Sequence, residues 1–179
     1  VDGGVLGLVA SGGGGVERWL RTGLAAPAAE RGWRLAVTLT PTAARWLDEA
    51  GELEELAALT DLPVRWTSRL PSEPKPHPPP DCFVFAPATA NSVVKLALGI
   101  SDNQALTVLN EALGLPDVPV LVQPQSNEAQ RRHPAWAGHL ATLRAAGVLL
   151  VPEGGPGPVL AELDRVRRAM ILPTGSDLV

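Results

Sequence analysis

The chain is poor in the residues that staple a fold, span a membrane or bind nucleic acid. It has one cysteine, Cys82, among 179 residues, so an internal disulfide framework is excluded and a reducing cytoplasm is the expected setting. No apolar run approaches the roughly 20 residues of a membrane span. No Lys/Arg cluster stands out, and the formal net charge is −4 with a pI of about 5.4, which argues against a nucleic-acid partner. The first residues carry no basic stretch ahead of their apolar run, so a signal peptide is not expected there. What is present is 45% hydrophobic against 19% charged residues, the balance of a globular domain. The length suits a single domain around one core.

Short apolar runs alternate with stretches of helical spacing. Strands are expected over 5–10, 33–40, 82–86, 118–122 and 148–151, with a further short one at 62–66. Helices are expected over 16–29, 42–50, 52–59, 91–99, 102–113, 134–146 and 159–170. Pro41 is preset for a helix start, Asn91 and Ser101 are candidate N-caps, and Gly147 is a candidate helix stop. The proline-dense LPSEPKPHPPP at 70–80 is confined to a loop, 153–158 reads as a Gly/Pro loop, and the last residues as a frayed tail. Continuous apolar strands alternating with helices predict a parallel sheet covered on both faces. That is a doubly wound, Rossmann-like or flavodoxin-like α/β fold, one domain over 1–179 with a C-terminal flap and tail from about 153.

Such sheets bind ligands at the carboxyl ends of their strands. Four stretches of small and polar residues fall there: SGGGG at 11–15, TPT at 40–42, PATAN at 87–91 and PQSN at 124–127. Glycines between a strand and a helix let the backbone approach a ligand, and the helix start offers free N–H groups; together they suit an anion, typically phosphate. A flexible turn is the alternative, and neither GxGxxG nor GK(S/T) is present. The hydroxyls of Thr40 and Thr42 either cap the helix or donate to the same phosphate. Asn91 and Asn127 can donate and accept at once, which suits a flat heterocycle or a carboxylate; helix capping is the alternative.

With VASGG, TPTAARWL, APATANSVVKLALGISDN and PQSNEAQRRHPAW on the page, the chain resembles the flavoprotein family of homo-oligomeric FMN-containing cysteine decarboxylases. That family includes phosphopantothenoylcysteine decarboxylases and the enzymes that act on a C-terminal peptidyl cysteine in lantibiotic-type biosynthesis. Flavin prenyltransferases belong to its wider circle. The likeness runs from about Val5 to about Pro152 and is most specific at 86–103, where the pattern PA(S/T)AN followed by K-(I/L)-A-x-G-I-x-D-N is matched almost throughout. The resemblance implies FMN, and no metal, at the strand ends. Ser11, Gly12, Gly13 and Thr42, with Thr40 beside them, would hold the phosphate. Ala88, Thr89 and Asn91 would meet the flavin, Gly99 and Asp102 would shape the pocket wall, and Trp46 takes the place of a family aromatic. Gly13 stands where many members have serine, which removes a hydroxyl donor and leaves the N–H groups. A homotrimer, or a dodecamer assembled from trimers, is implied, with the flavin site completed between subunits.

The resemblance also implies a reaction. In the family the substrate cysteine gives a hydride from Cβ to the flavin, and the resulting thioaldehyde loses CO₂ to leave an enethiol. A histidine ahead of the PATAN strand and the asparagine of a PxMN motif, which grips the substrate carboxylate, serve that reaction. Asn127 matches the asparagine. The methionine before it is Ser126 here and the motif's later methionine is missing, so a more polar pocket is expected. His77 is the one candidate for the histidine, but Pro78, Pro79, Pro80 and Asp81 follow it where the family has a helical turn; an exposed loop histidine is the alternative. His133 and His139 fall on positions without a catalytic role. The candidate flap, EGGPGPVLAEL, lacks the cysteine with which phosphopantothenoylcysteine decarboxylases reduce the enethiol, and Cys82 lies within a strand, where packing is its expected use. The implied activity is oxidative decarboxylation of a peptide or small molecule ending in cysteine, with the enethiol released. The alternatives are phosphopantothenoylcysteine decarboxylation, or a flavoprotein of this fold with lost or different chemistry. A prenyltransferase is disfavoured, because the chain has no tyrosine and no Arg/Lys pair clearly placed for an alkyl phosphate.

Overall fold

A computed structural model describes residues 4–171. Five strands, β1 (Val5–Ala10), β2 (Arg34–Leu39), β3 (Cys82–Thr89), β4 (Val120–Gln125) and β5 (Leu149–Leu150), pair in parallel in the order β2-β1-β3-β4-β5. Their side chains alternate between two cores, as the two-residue period of a strand demands. Leu6, Leu8 and Ala10 of β1 and Cys82, Val84 and Ala86 of β3 enter one core. Val9, Phe83, Phe85 and Val122 enter the other. Both faces are therefore apolar, and both must be covered.

The helices divide accordingly. α1 (Val16–Trp19) runs through a π-helical segment (Leu20–Ala25) into α2 (Ala26–Glu30), and with α3 (Pro41–Glu49) and α4 (Glu52–Ala57) it covers the first face through Leu20, Leu24, Leu47 and Leu56. α5 (Ala90–Ala97), α6 (Gln104–Leu113) and α8 (Trp136–Ala145) cover the second through Leu96, Leu106, Leu109 and Leu143. α7 (Glu128–Arg131) is a single exposed turn. α9 (Pro156–Ile171) returns to the first face with Val159, Leu163 and Val166. The doubly wound arrangement expected from the sequence is thus present. Among the described residues no helix is long and apolar enough to cross a membrane.

Three local expectations are corrected. The 62–66 stretch is not a strand but a single parallel bridge, Arg65 to Thr38. Its bonds are Leu39 N to Arg65 O at 2.7 Å and Arg65 N to Val37 O at 3.0 Å; Pro63 has no N–H with which to extend the pairing. The N-cap of α5 is Thr89, not Asn91, because the helix begins at Ala90 and an N-cap needs the extended backbone that Thr89 has (φ −61°, ψ 155°). The N-cap of α6 is Asn103, not Ser101, its side chain accepting from Leu106 N at 2.9 Å. Pro41 does open α3, and Gly147 follows α8 at φ 86°. The tail expected after 171 lies outside the described residues.

The strand order fixes where a site can be. From β1 the chain goes to β2 on one side, and β3 then joins β1 on the other. The segments leaving β1 and β3 head for opposite faces, and this opens a crevice between their carboxyl ends, the switch point of the sheet.

Candidate functional site

Ser11 stands in that crevice. Its backbone N–H donates to Pro87 O at 2.9 Å. Its Oγ donates to the same carbonyl at 2.7 Å and accepts from Thr89 N at 2.8 Å. The register of β3 against β4 shifts between Phe85 and Ala88, and the side chain of Ser11 satisfies the backbone groups freed there. Ser11 is 2% exposed, so its hydroxyl joins β1 to β3 and does not project into the crevice as a free phosphate donor.

The glycines follow. Gly13 N bonds to Ser11 O at 2.8 Å and Val16 N to Gly13 O at 3.1 Å, while the amides of Gly12, Gly14 and Gly15 make no hydrogen bond among the described residues. Two of the glycines are bare for a packing reason. A Cβ on Gly12 would lie 2.6 Å from the Thr42 methyl, and one on Gly13 would lie 2.1 Å from Gln125 Oε1 and 3.0 Å from the Pro87 ring. Gly15 has φ 85°, the left-handed region that glycine enters without strain. The loop therefore offers three unmet N–H groups at the start of a helical run, an arrangement suited to an anion. Arg18 adds positive charge: its Nη2 is 3.1 Å from where a Cβ of Gly15 would be.

Two clefts flank Gly14. The first, of about 340 Å³, is bounded by Gly12, Gly13 and Gly14 below, by Thr89 and Ala90 at the start of α5, and by the β4–α7 segment. From that segment come Gln125, Ser126, Asn127 and Gln130, with Glu153 at the rim. The second, of about 440 Å³, is bounded by Gly14, Gly15, Glu17, Trp46, Glu49 and Ala50. Both fall in the size range of small-molecule sites.

The structure therefore brings Gly12, Gly13, Thr89 and Asn127 to one cleft, with Trp46 on the neighbouring one. Ala88 is fully buried behind Thr89. Thr40 caps α3, accepting from Ala43 N at 3.3 Å, and Thr42 packs against Gly12. Asn127 is the N-cap of α7, in a capping box. Its Oδ1 accepts from Gln130 N at 2.9 Å, Gln130 Oε1 accepts from Asn127 N at 2.9 Å, and its amide nitrogen makes no bond among the described residues. Gln125, Gln130, Glu153 and Arg18 escaped the sequence reading. Ser126 and Gln130 make this wall polar. Glu153 is held 3.4 Å from Arg131 Nη1, which also donates to the Ser126 carbonyl.

Other expected residues are not at these clefts within one chain. Asn91 is exposed in the first turn of α5. Gly99 and Asp102 lie past the opposite end of that helix, whose eight residues span about 12 Å; Asp102 is salt-bridged to Lys95. His77 contacts Pro63 O through Nε2 at 2.7 Å. The 63–65 segment runs one position outside β2, so at about 4.8 Å per strand it is roughly 19 Å from β4 and Asn127. The pKa of His77 is lowered by burial most of all and further by the charge of Arg65, while the Pro63 carbonyl opposes both. Cys82 is fully buried in β3, and burial, with Asp81 adding to it, pushes its thiol up to about 12.

Comparisons with known proteins agree with this geometry. A family model for flavoproteins matches residues 28–173. A cysteine/cysteine sulfinic acid decarboxylase of an unknown prokaryotic organism is 35% identical over 74 residues, 41% of this chain and 20% of that protein. A probable phosphopantothenoylcysteine decarboxylase of Streptococcus mutans is 34% identical over 96 residues, 48% of this chain and 51% of that protein. The chain thus matches between a fifth and a half of the length of these curated relatives. Among solved structures, the FMN-dependent cysteine decarboxylase TvaF from thioviridamide biosynthesis superposes with a TM-score of 0.72 at 25% identity, over 92% of this chain and 98% of that one. The cypemycin decarboxylase CypD superposes with a TM-score of 0.66 at 21% identity, over 96% and 97%, which shows the shared fold.

Proposed function

The chain belongs to the flavoprotein family, and on that premise we propose that it is an FMN-dependent decarboxylase that converts a C-terminal peptidyl cysteine to an enethiol. The observation that carries this reading is the cleft at the β1/β3 switch point, which the unmet amides of Gly12 and Gly14 share with the free amide of Asn127, the unmet amide of Gly15 following at its edge. The residues present suit FMN: Gly12, Gly14 and Gly15 would receive the phosphate, Arg18 would balance its charge, and Thr89 and Ala90 would bound the flavin. Bound FMN supplies the two-electron oxidising capacity that the protein's own side chains lack.

The chain's residues hold, orient and neutralise. Because the Asn127 Oδ1 is occupied in the cap, its orientation is fixed, and its Nδ2 is left to donate to the substrate carboxylate. Ser126 and Gln130 offer polar contacts to the residue preceding the cysteine. Burial lowers the pKa of His77 and so favours the neutral ring that a proton acceptor needs. It reaches a flavin cleft only from a second copy of the chain, as do Gly99 and Asp102. The proposed homo-oligomer is supported by Trp66, Leu70, Leu98 and Ile100, large apolar side chains left exposed on this side of the molecule. Leu98→Glu is expected to lower the mass measured by light scattering.

Cys82 favours release of the enethiol over its reduction. Cys82 is inside a strand with its thiol pushed up to about 12, so it supplies no thiolate for a reductive half-reaction. Mass spectrometry of a cysteine-terminated peptide incubated with FMN-loaded protein tests this. A loss of about 46 Da, CO₂ and two hydrogens, is expected. A loss of about 44 Da, CO₂ alone, points instead to the non-oxidative outcome of a phosphopantothenoylcysteine decarboxylase. An unchanged mass overturns the activity and leaves a flavoprotein of different chemistry.

A further inference from the structure

Gly13 is bare because another side chain has taken its space. Gln125, at the end of β4, reaches past Pro87 to the glycine loop, where its Nε2 donates to Gly14 O at 2.9 Å. Its Oε1 sits where the first side-chain atom of residue 13 would stand, 2.1 Å from that position. Gln125 as a whole is only half-buried, but Oε1 is shielded from solvent and has no donor among the described residues. A shielded amide oxygen without a donor is costly, and native structures rarely keep one. This one belongs to a residue on the wall of the 340 Å³ cleft, so a small turn of the carboxamide brings Oε1 out to the cleft, where an occupant can supply the donor it lacks.

We propose that Gln125 is a ligand-binding residue: Nε2 fixes the glycine loop through Gly14, and Oε1 accepts a hydrogen bond from a ribityl hydroxyl of the bound flavin nucleotide. This rests on the FMN reading above. A phosphate at neutral pH offers acceptors, not donors, and cannot satisfy an amide oxygen. If the loop holds the phosphate, the nearest donors of FMN are the hydroxyls of its ribityl chain. Gly13 and Gln125 are then one device: the long side chain from β4 fills the place of a short one on the loop.

The test is flavin binding, read by quenching of flavin fluorescence, with the melting temperature of the flavin-free protein measured beside it. FMN binding by the unaltered chain checks the underlying reading, and no binding overturns both. Given binding, Gln125→Ala is expected to weaken FMN and riboflavin by the same factor, roughly tenfold for one hydrogen bond of ordinary net strength. Gly13→Ser alone should weaken FMN, because the added side chain meets Oε1. Gly13→Ser combined with Gln125→Ala should bind FMN better than Gly13→Ser alone. Equal FMN affinity for Gln125→Ala and the unaltered chain overturns the inference while leaving the FMN reading intact. So does a loss confined to FMN, with riboflavin unaffected, since Gln125 would then act only by shaping the phosphate loop. The double substitution keeps the inference falsifiable if one single variant folds poorly.

Discussion

Residues 70–80 lie just ahead of β3 and residues 86–91 run from its carboxyl end into α5, and the two are built in opposite ways. At 86–91, the polar groups of the strand end are paired within the chain: Pro87 O accepts from both the N–H and the hydroxyl of Ser11, Thr89 N donates to the Ser11 oxygen, and Thr89 Oγ1 caps α5. At 70–80, prolines remove the donors, side chains are exposed or half-buried, and the loop is tied down by a few contacts, among them Leu70 N to the Glu73 carboxylate and His77 to Pro63. The half proposed to hold the cofactor is therefore assembled by one chain. The half that would supply an acid–base group is not, and it is presented outward near exposed apolar side chains. Loss of either half should leave different traces.

The largest separation comes from His77→Gln. Turnover of a cysteine-terminated peptide is expected to fall 10²–10⁴-fold, about the contribution of one acid–base group. FMN affinity and the unfolding free energy should stay within about 0.5 kcal/mol of the unaltered protein, as for a surface change. Loss of FMN as well would break the comparison, placing His77 among the cofactor-holding groups. Ser11→Ala probes the other half. It leaves Thr89 N without its acceptor in a crevice where Ser11 is 2% exposed, so a loss of about 1–3 kcal/mol in denaturant unfolding is expected, with weaker FMN binding. Thr89→Val keeps the shape but removes the cap of α5. The expected loss is about 1 kcal/mol, smaller because only one end of one helix is affected.

How far the sequence reveals these two halves follows from how local their encoding is. The alternation of Leu6, Leu8 and Ala10 with Val9, and the continuous apolar run of β3, are properties of neighbouring residues, and they make the sheet and its two covered faces readable. Sites at strand ends follow from that topology, so the glycine loop, Thr89 and Asn127 could be named from the chain alone. The caps of α5 and α6 were missed by two residues, because Thr and Asn candidates crowd both helix starts and only the backbone angles decide among them. Gln125 could not be read at all. Its partner Gly14 is 111 residues away, and nothing in PQSN tells which way the side chain turns. The polar wall was legible only at Ser126, which follows from its position before Asn127; Gln130 comes to the wall through the turn of α7.

The smallest expected effect is a pH dependence, and it bears on the proline loop at 70–80. His77 has its pKa lowered chiefly by burial and also by Arg65, with the Pro63 carbonyl pulling the other way. Between that lowered value and the ordinary value of 6.5, the unfolded chain binds more protons than the folded one. Unfolding free energy therefore rises with pH through this window. The contribution is complete above the ordinary pKa and is lost as pH falls through the folded value. His77→Gln has no such group, so its melting temperature should track that of the unaltered protein above about pH 6.5 and fall less steeply below it. Parallel curves over the whole range would mean that the ring is not held against Pro63 in solution. The proline loop would then be set by the oligomer rather than by its own chain, and the contrast with the strand end at 86–91 would be sharper still.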